Sequence, residues 1–276
     1  QQACADAGVE ALGYIPKDES IVIPSRHLGL SIDETFCFDT FADRVAEVID
    51  KTVNVDRLLE LCTVEFSGEQ TEDVVCSGNR KIAIARDEAF NFMYRENVEA
   101  LKRAGEVVFF SPLRDKSLPE ADMVYFPGGY PELHLAELAA NEGMRQSVRK
   151  YCENGGRVLA ECGGMMYLCD TITDGDGKVY PMAGVLKQGA TMEQMKLKLG
   201  YREVRVNGQR IRGHEFHYSR ILPTNEKIPV IGTIYNAKDM VVDTPVYTYK
   251  NVWARYIHVY WGECGIDHFL MLMSQK

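Results

Sequence analysis

Cys162 is the residue around which this chain can do chemistry. It stands between an apolar run, RVLA at 157–160, and MMYLCDTI at 165–172, where Met165, Met166, Leu168, Cys169 and Ile172 keep helical spacing. The spacing predicts a buried strand, a turn at Cys162-Gly163-Gly164 and a helix over 165–172. Glycines without Cβ atoms permit a tight strand-to-helix turn that aims the sulfur at the positive end of the helix. A thiol so placed has a lowered pKa and faces backbone N–H groups able to hold an oxyanion, as in a nucleophile elbow with sulfur replacing a serine oxygen. The same pattern also fits a buried structural cysteine beside a glycine turn.

A cysteine nucleophile needs a base and an oxyanion site. His258, in WARYIHVYW at 253–261, is one candidate base, with His214 and His217 of GHEFHYS (213–219) as rivals and His134 as a weaker one. A satisfied core histidine is the plainer explanation of His258 from local sequence alone. The glycine pair in FPGGYPE (126–132) allows N–H groups of Gly128 and Gly129 to join that of Gly163 around an oxyanion, or else marks a plain turn before a helix. Arg86, in ARDEAFNF (85–92), follows a strand, where its charged cluster binds substrate or caps the next helix. No Cys and His group has zinc-ligand spacing, so no metal is expected.

These residues need a frame, and from Lys81 onward the sequence alternates strand and helix at the spacing of a parallel α/β sheet. Strands are predicted at 81–85, 106–112 and 122–126, helices at 91–104 and 133–154, and the central strand then delivers Cys162. Later short strands at 183–186, 201–206, 230–235 and 244–249 suggest an antiparallel extension of that sheet, and a last strand is predicted at 253–261, carrying His258. Before Lys81, residues 1–9 read as a helical remnant, 9–15 as a strand and 32–62 as helix with a break near 52–54. The loop 13–30, with two prolines and the basic pair Arg26-His27, could hold a ligand or simply connect. The polar, aperiodic stretch 65–80 separates two expected domains, 1–75 and 76–276.

Composition narrows the class. With 276 residues, 46% hydrophobic and 26% charged, the chain has the make-up of a globular protein with room for one large or two modest cores. No membrane span or signal pattern is visible, and the eight scattered cysteines read as reduced thiols, so a cytoplasmic location is expected. A net charge of −9 argues against nucleic acid or an anionic membrane as the main partner. The chain opens without methionine and contains no G-x-x-x-x-G-K-[ST] motif, which suggests part of a longer protein.

Taken together, KIAIARDEAFNF, FFSPLRD, FPGGYPE, AECGGMMYL, GHEFHYS and ARYIHVYW, in this order, resemble the glutamine amidotransferase domain of the cobyrinic acid a,c-diamide synthase family. GYIPKDESIVIPSRHLGL resembles the end of that family's ATP-dependent synthetase domain. The resemblance implies a flavodoxin-like, class I amidotransferase fold with a mainly parallel sheet. It also implies glutamine hydrolysis through a γ-glutamyl thioester, and transfer of the ammonia to corrinoid carboxylates activated with ATP and Mg²⁺. Carried over by motif, Cys162 is the nucleophile and His258 raises its nucleophilicity. The backbone of Gly128, Gly129 and Gly163 would form the oxyanion hole, and Arg26, His27 and Arg86 are expected as candidate contacts of part of the acceptor site. The glutamate that familiar class I enzymes carry two positions after the histidine is Tyr260 here, so a Cys-His dyad suffices or another group orients the imidazole. Without a phosphate-binding loop, ATP and Mg²⁺ are expected to need the full-length enzyme. Glutamine and a corrinoid are the implied partners, and a homodimer is allowed. Cobyric acid synthase, a nickel-tetrapyrrole diamide synthase, a peptidase or γ-glutamyl hydrolase with the same elbow, and a non-catalytic module of the same fold are the competing readings.

Overall fold

A computed structural model describes residues 2–23, 25–26, 29–30, 36–65, 79–224, 227–262 and 266, with backbone alone at 25–26 and 29–30. The chain divides into two compact units, Gln1–Glu72 and Asp73–Lys276. The first contains α1 (Gln2–Asp6), the two-residue strands β1 (Ser25–Arg26) and β2 (Gly29–Leu30), α2 (Phe38–Thr52) and α3 (Val55–Cys62). The break between α2 and α3 falls at 53–54, where Asn54 accepts from the Arg57 N–H and caps the second helix. No strand forms over 9–15: Gly13 makes a single bridge to Val53, and Tyr14 donates to the Thr52 carbonyl.

The second unit begins with β3 (Arg80–Ala85), α4 (Arg95–Ala104), β4 (Gly105–Phe110) and β5 (Met123–Phe126). There follow α5 (Leu135–Ala140), α6 (Glu142–Glu153), β6 (Arg157–Glu161) and α7 (Gly163–Leu168). The remaining strands are β7 (Cys169–Thr173), β8 (Val179–Pro181), β9 (Leu186–Thr191), β10 (Lys198–Val206), β11 (Gln209–His217), β12 (Arg220–Ile221), β13 (Thr233–Asn236), β14 (Val246–Tyr249), β15 (Val252–Arg255) and β16 (His258–Val259). A six-stranded sheet in the order β14-β15-β6-β5-β3-β4 is parallel throughout except for the antiparallel edge β14.

Side chains alternate across this sheet, so its central strands feed two cores. Ala83, Ala85, Val124, Phe126, Val158 and Ala160 pack with α5, α6 and α7 on one face. Ile82, Ile84, Met123, Tyr125, Leu159 and Trp253 pack with α4 on the other. Both faces are covered, which is why these strands read as continuous apolar runs.

Three of the expected helices change. Residues 91–94 are not helical, because Phe92 forms a two-way backbone bridge with Gly128 and α4 starts only at Arg95. The helix expected over 133–154 breaks at Asn141, whose side chain accepts from Met144 N–H and donates to the Pro112 and Asp115 carbonyls. The helix expected over 165–172 ends at Leu168, and Cys169 and Ile172 lie on β7 instead. Of the late strands, β14 and β15 alone extend the central sheet; the others form two four-stranded sheets, β13-β10-β11-β16 and β12-β9-β7-β8. The segment 253–261, expected as one strand, is divided between two sheets at Tyr256-Ile257.

Candidate active site

Cys162 occupies the turn between β6 and α7 with φ 45° and ψ −108°, a left-handed conformation costly for a residue with a Cβ. The surrounding chain fixes it there. Its N–H donates to the Arg255 carbonyl at 2.8 Å, its carbonyl accepts from Met166 N–H at 3.0 Å, and Gly164 N–H donates to the Pro127 carbonyl at 3.1 Å. Gly164 is needed for the last contact, since a Cβ there would meet the Phe126 carbonyl at 2.4 Å. Such a strained residue, held by its neighbours at the carboxyl end of a central strand, marks where this fold gathers chemistry.

The thiol is 7% exposed and donates a weak hydrogen bond to the Phe216 carbonyl at 3.9 Å. Burial first, and then the negative charge of Glu132, push its pKa up, against the pull of the Gly163 N–H. This reverses the expected lowering. The helix behind the sulfur has six residues, and its dipole is outweighed by the loss of water around a would-be thiolate.

The glycine loop and His258 meet directly. A Cβ on Gly128 would lie 2.2 Å from His258 Cε1, so the imidazole rests against the bare Cα of that glycine. Gly128 N–H donates to the Phe92 carbonyl at 3.1 Å and so is not turned to an oxyanion, which corrects one member of the expected hole. Gly129 and Gly163 fit better. Gly129 N–H has no acceptor among the described residues, and the N–H of Gly163, first in its helix, has no intrahelical one. A Cβ on Gly163 would sit 2.7 Å from Pro131 Cδ, 3.1 Å from Gly129 O and 3.2 Å from Gly129 N, so the missing side chain lets the two glycine backbones approach each other.

His258 is 4% exposed, packed edge-on against Phe92 and stacked on His214 with ring centroids 4.9 Å apart. Burial, followed by the positive fields of His214, Arg255 and His217, pulls its pKa down to about 3. It is therefore a neutral imidazole at ordinary pH, the form that accepts a proton. No hydrogen bond joins it to Cys162 among the described residues. Cys162 follows β6 and His258 opens β16 in another sheet, and both side chains are neutral rather than an ion pair.

Other candidates are placed elsewhere. His217 is held by Ser219 O at 2.8 Å, Glu215 Oε1 at 2.9 Å and the Tyr256 ring, stacked at 3.6 Å, which leaves no ring nitrogen for a base. His214 bonds Tyr94 Oη through Nδ1 at 2.6 Å. His134 is half-buried in the turn before α5. Arg86 is exposed, with its guanidinium 4.9 Å from the Phe109 ring on the edge strand β4, which β5 and β3 separate from β6. The Arg26 side chain and all of His27 lie outside the described residues. Asp87, in the charged cluster expected to bind substrate or cap the next helix, accepts from Ala89 N–H, Phe90 N–H, Ser111 Oγ and Leu113 N–H, bracing the loop beneath Gly129.

One group stands out that the sequence reading left unassigned. Glu161, directly before the cysteine, is 1% exposed and stands 3.9 Å from His258 Nδ1 through Oε2. A charged residue closing an otherwise apolar strand was the available signal.

Residues 81–264 match the model of the CobB/CobQ-like glutamine amidotransferase domain. The cobyrinate a,c-diamide synthase of Salmonella typhimurium is 35% identical over 266 residues, covering 91% of this chain and 58% of that protein. The hydrogenobyrinate a,c-diamide synthase of Pseudomonas aeruginosa is 36% identical over 259 residues, covering 93% of this chain and 58% of its own length. The chain thus spans 58% of the length of each of these relatives. Among solved structures, a glutamine amidotransferase is similar at a TM-score of 0.46 and 22% identity, covering 70% of this chain and 98% of that one. The chain belongs to the CobB/CobQ-like glutamine amidotransferase family.

Proposed function

We propose that this chain hydrolyses glutamine at Cys162 and supplies the ammonia to an ATP-dependent ligase that amidates the a and c carboxylates of a corrinoid. The observation that carries the reading is the elbow: a cysteine strained at φ 45° where the backbones of Gly129 and Gly163 approach closely, with a neutral imidazole against Gly128. In the reaction, Sγ attacks the side-chain amide carbon of glutamine as His258 takes the thiol proton. The oxyanion of the tetrahedral intermediate accepts from Gly129 and Gly163 N–H. Collapse passes the proton to the leaving nitrogen and releases ammonia, leaving a γ-glutamyl thioester. Water, deprotonated by His258, hydrolyses it to glutamate and restores the thiol. The sulfur must turn from Phe216 toward the imidazole, a tightening common when substrate enters.

The corrinoid acceptor is supported by the relatives named cobyrinate and hydrogenobyrinate a,c-diamide synthases. Residues 1–75 we read as the end of the synthetase domain, a reading supported by the GYIPKDESIVIPSRHLGL segment. ATP and Mg²⁺ do not fit the residues present. The sequence contains no G-x-x-x-x-G-K-[ST] loop, and among the described residues of the first unit the strands are only two residues long. We place the reaction in the cytoplasm, and the net charge of −9 supports small-molecule rather than nucleic-acid partners. No helix of the described residues is long and apolar enough to cross a membrane.

A glutamine-analogue chloroketone tests the reading. It is expected to alkylate Cys162, and the untreated chain to release ammonia and glutamate from glutamine, with loss of at least about 10³-fold in Cys162→Ser. Absence of both labelling and ammonia would indicate a non-catalytic module. Adding cobyrinate, an a,c-diamidated corrinoid or a nickel tetrapyrrole to the full-length protein with ATP, Mg²⁺ and glutamine identifies the acceptor by product mass.

A further inference from the structure

Glu161 and Arg255 end β6 and β15, and Tyr125 is the penultimate residue of the neighbouring β5, all on one face of the central sheet in apolar surroundings. Arg255 is the register partner of Glu161 across the β6–β15 ladder, and its Nη2 donates to Glu161 Oε1 at 2.8 Å. Val259 N–H donates to the same oxygen at 3.2 Å, and Tyr125 Oη to Oε2 at 2.9 Å. A carboxylate offers about four lone-pair positions. Three are filled, and the remaining one, on Oε2, is 3.9 Å from His258 Nδ1.

That nitrogen is the informative atom. His258 is 4% exposed, yet Nδ1 makes no hydrogen bond among the described residues. The nearby alternatives are engaged: His214 Nδ1 with Tyr94 Oη, and the Asn97 side chain with the Val259 carbonyl and Trp261 N–H. At 3.9 Å the gap to Glu161 is too long for a hydrogen bond and too short to hold a water, so ring rotation toward the carboxylate closes it. A buried ion pair is by itself weak support for a fold, and one kept beside the reacting thiol calls for another role.

We infer that Glu161 is the positioning residue of this site: it accepts the Nδ1–H of His258, fixing the tautomer in which Nε2 holds the lone pair that takes the Cys162 proton. The residue thereby replaces, from the strand before the nucleophile, the acid that Tyr260 does not supply two positions after the histidine. Register explains how. Glu161 precedes Cys162 by one residue, and its ladder partner Arg255 precedes His258 by three, so one strand pairing spaces acid, imidazole and sulfur together.

The inference rests on the glutaminase reading, and its test separates the two. With glutamine as substrate, Glu161→Gln is expected to lower kcat about 10²-fold while KM stays within about twofold, and Glu161→Asp, with a shorter reach, to recover little of it. Circular dichroism establishes whether these variants fold. In the unmodified chain labelled with ¹⁵N-histidine, the His258 signals, assigned by their loss in His258→Gln, should show Nδ1 protonated and Nε2 bare at neutral pH. This holds whether or not the variants fold. A protonated Nε2, or a folded Glu161→Gln with full kcat, overturns the role of Glu161 and leaves the glutaminase standing. An unmodified chain that releases no ammonia removes the glutaminase reading, and the inference with it.

Discussion

At Cys162 and His258 the decisive quantity is water. Burial raises the thiol and lowers the imidazole, so the resting pair is neutral and the proton moves only during attack. Alkylation of Cys162 by iodoacetamide, followed by peptide mass spectrometry, is therefore expected to be slow near neutral pH and still rising past about pH 9. A rate that levels off near neutrality would mean a stable thiolate–imidazolium pair instead. Cys37 serves as the internal comparison: it is exposed, its pKa is lowered by a hydrogen bond with the Thr40 hydroxyl, and it should react first. Gly128 matters here for what it lacks. In Gly128→Ala the new methyl would stand 2.2 Å from His258 Cε1, so the imidazole must leave its seat. Glutaminase kcat should fall at least about 10-fold, with circular dichroism unchanged.

Among the elements, the elbow works because three segments approach at distances only glycine tolerates. Gly163 lies against Pro131 and Gly129, and Gly164 against the Phe126 and Pro127 carbonyls. Both sit at the start of α7, where β5 and the glycine loop press against the helix. An added Cβ at Gly164 would face backbone at 2.4 Å, which cannot swing aside as a side-chain tip can. Gly164→Ala should therefore destabilise the chain by about 1–3 kcal/mol, read as a lower midpoint in urea at unchanged slope. The Asp87 brace supports the same junction from the other side, since the Ala89 carbonyl that its loop presents accepts the Tyr130 N–H at 2.9 Å.

For the whole molecule, buried titratable groups set the response to acid. His258 is held down to about 3 from an ordinary 6.5, so the unfolded chain binds its proton first. The stability this represents is complete above about pH 6.5 and is lost as pH falls toward about 3. Glu215 adds a second window. Burial alone would raise it, but hydrogen bonds from His217 and Arg202 bring it down to about 2, so its contribution is present above about 4.5 and fades below. Thermal unfolding should give a Tm that falls from about pH 6.5 downward, and His258→Gln should flatten the upper part of that decline. A Tm unchanged down to about pH 5 would count against a buried neutral His258.

What the sequence determined by itself is the local chemistry: the parallel strands at 81–85, 122–126 and 157–160, the glycine turns after two of them, and a cysteine on the joint. These are legible because apolar periodicity and glycine placement act within a few residues. Periodicity could not show that 169–173 leaves the helix for a strand, nor that 253–261 divides between two sheets, because both are decided by which neighbours need pairing. Tertiary structure alone took the Gly128 N–H for Phe92, removed His217 from the candidate bases and put Glu161 beside His258. Each of those facts joins segments that are distant in sequence, and no single segment carries the distance between them.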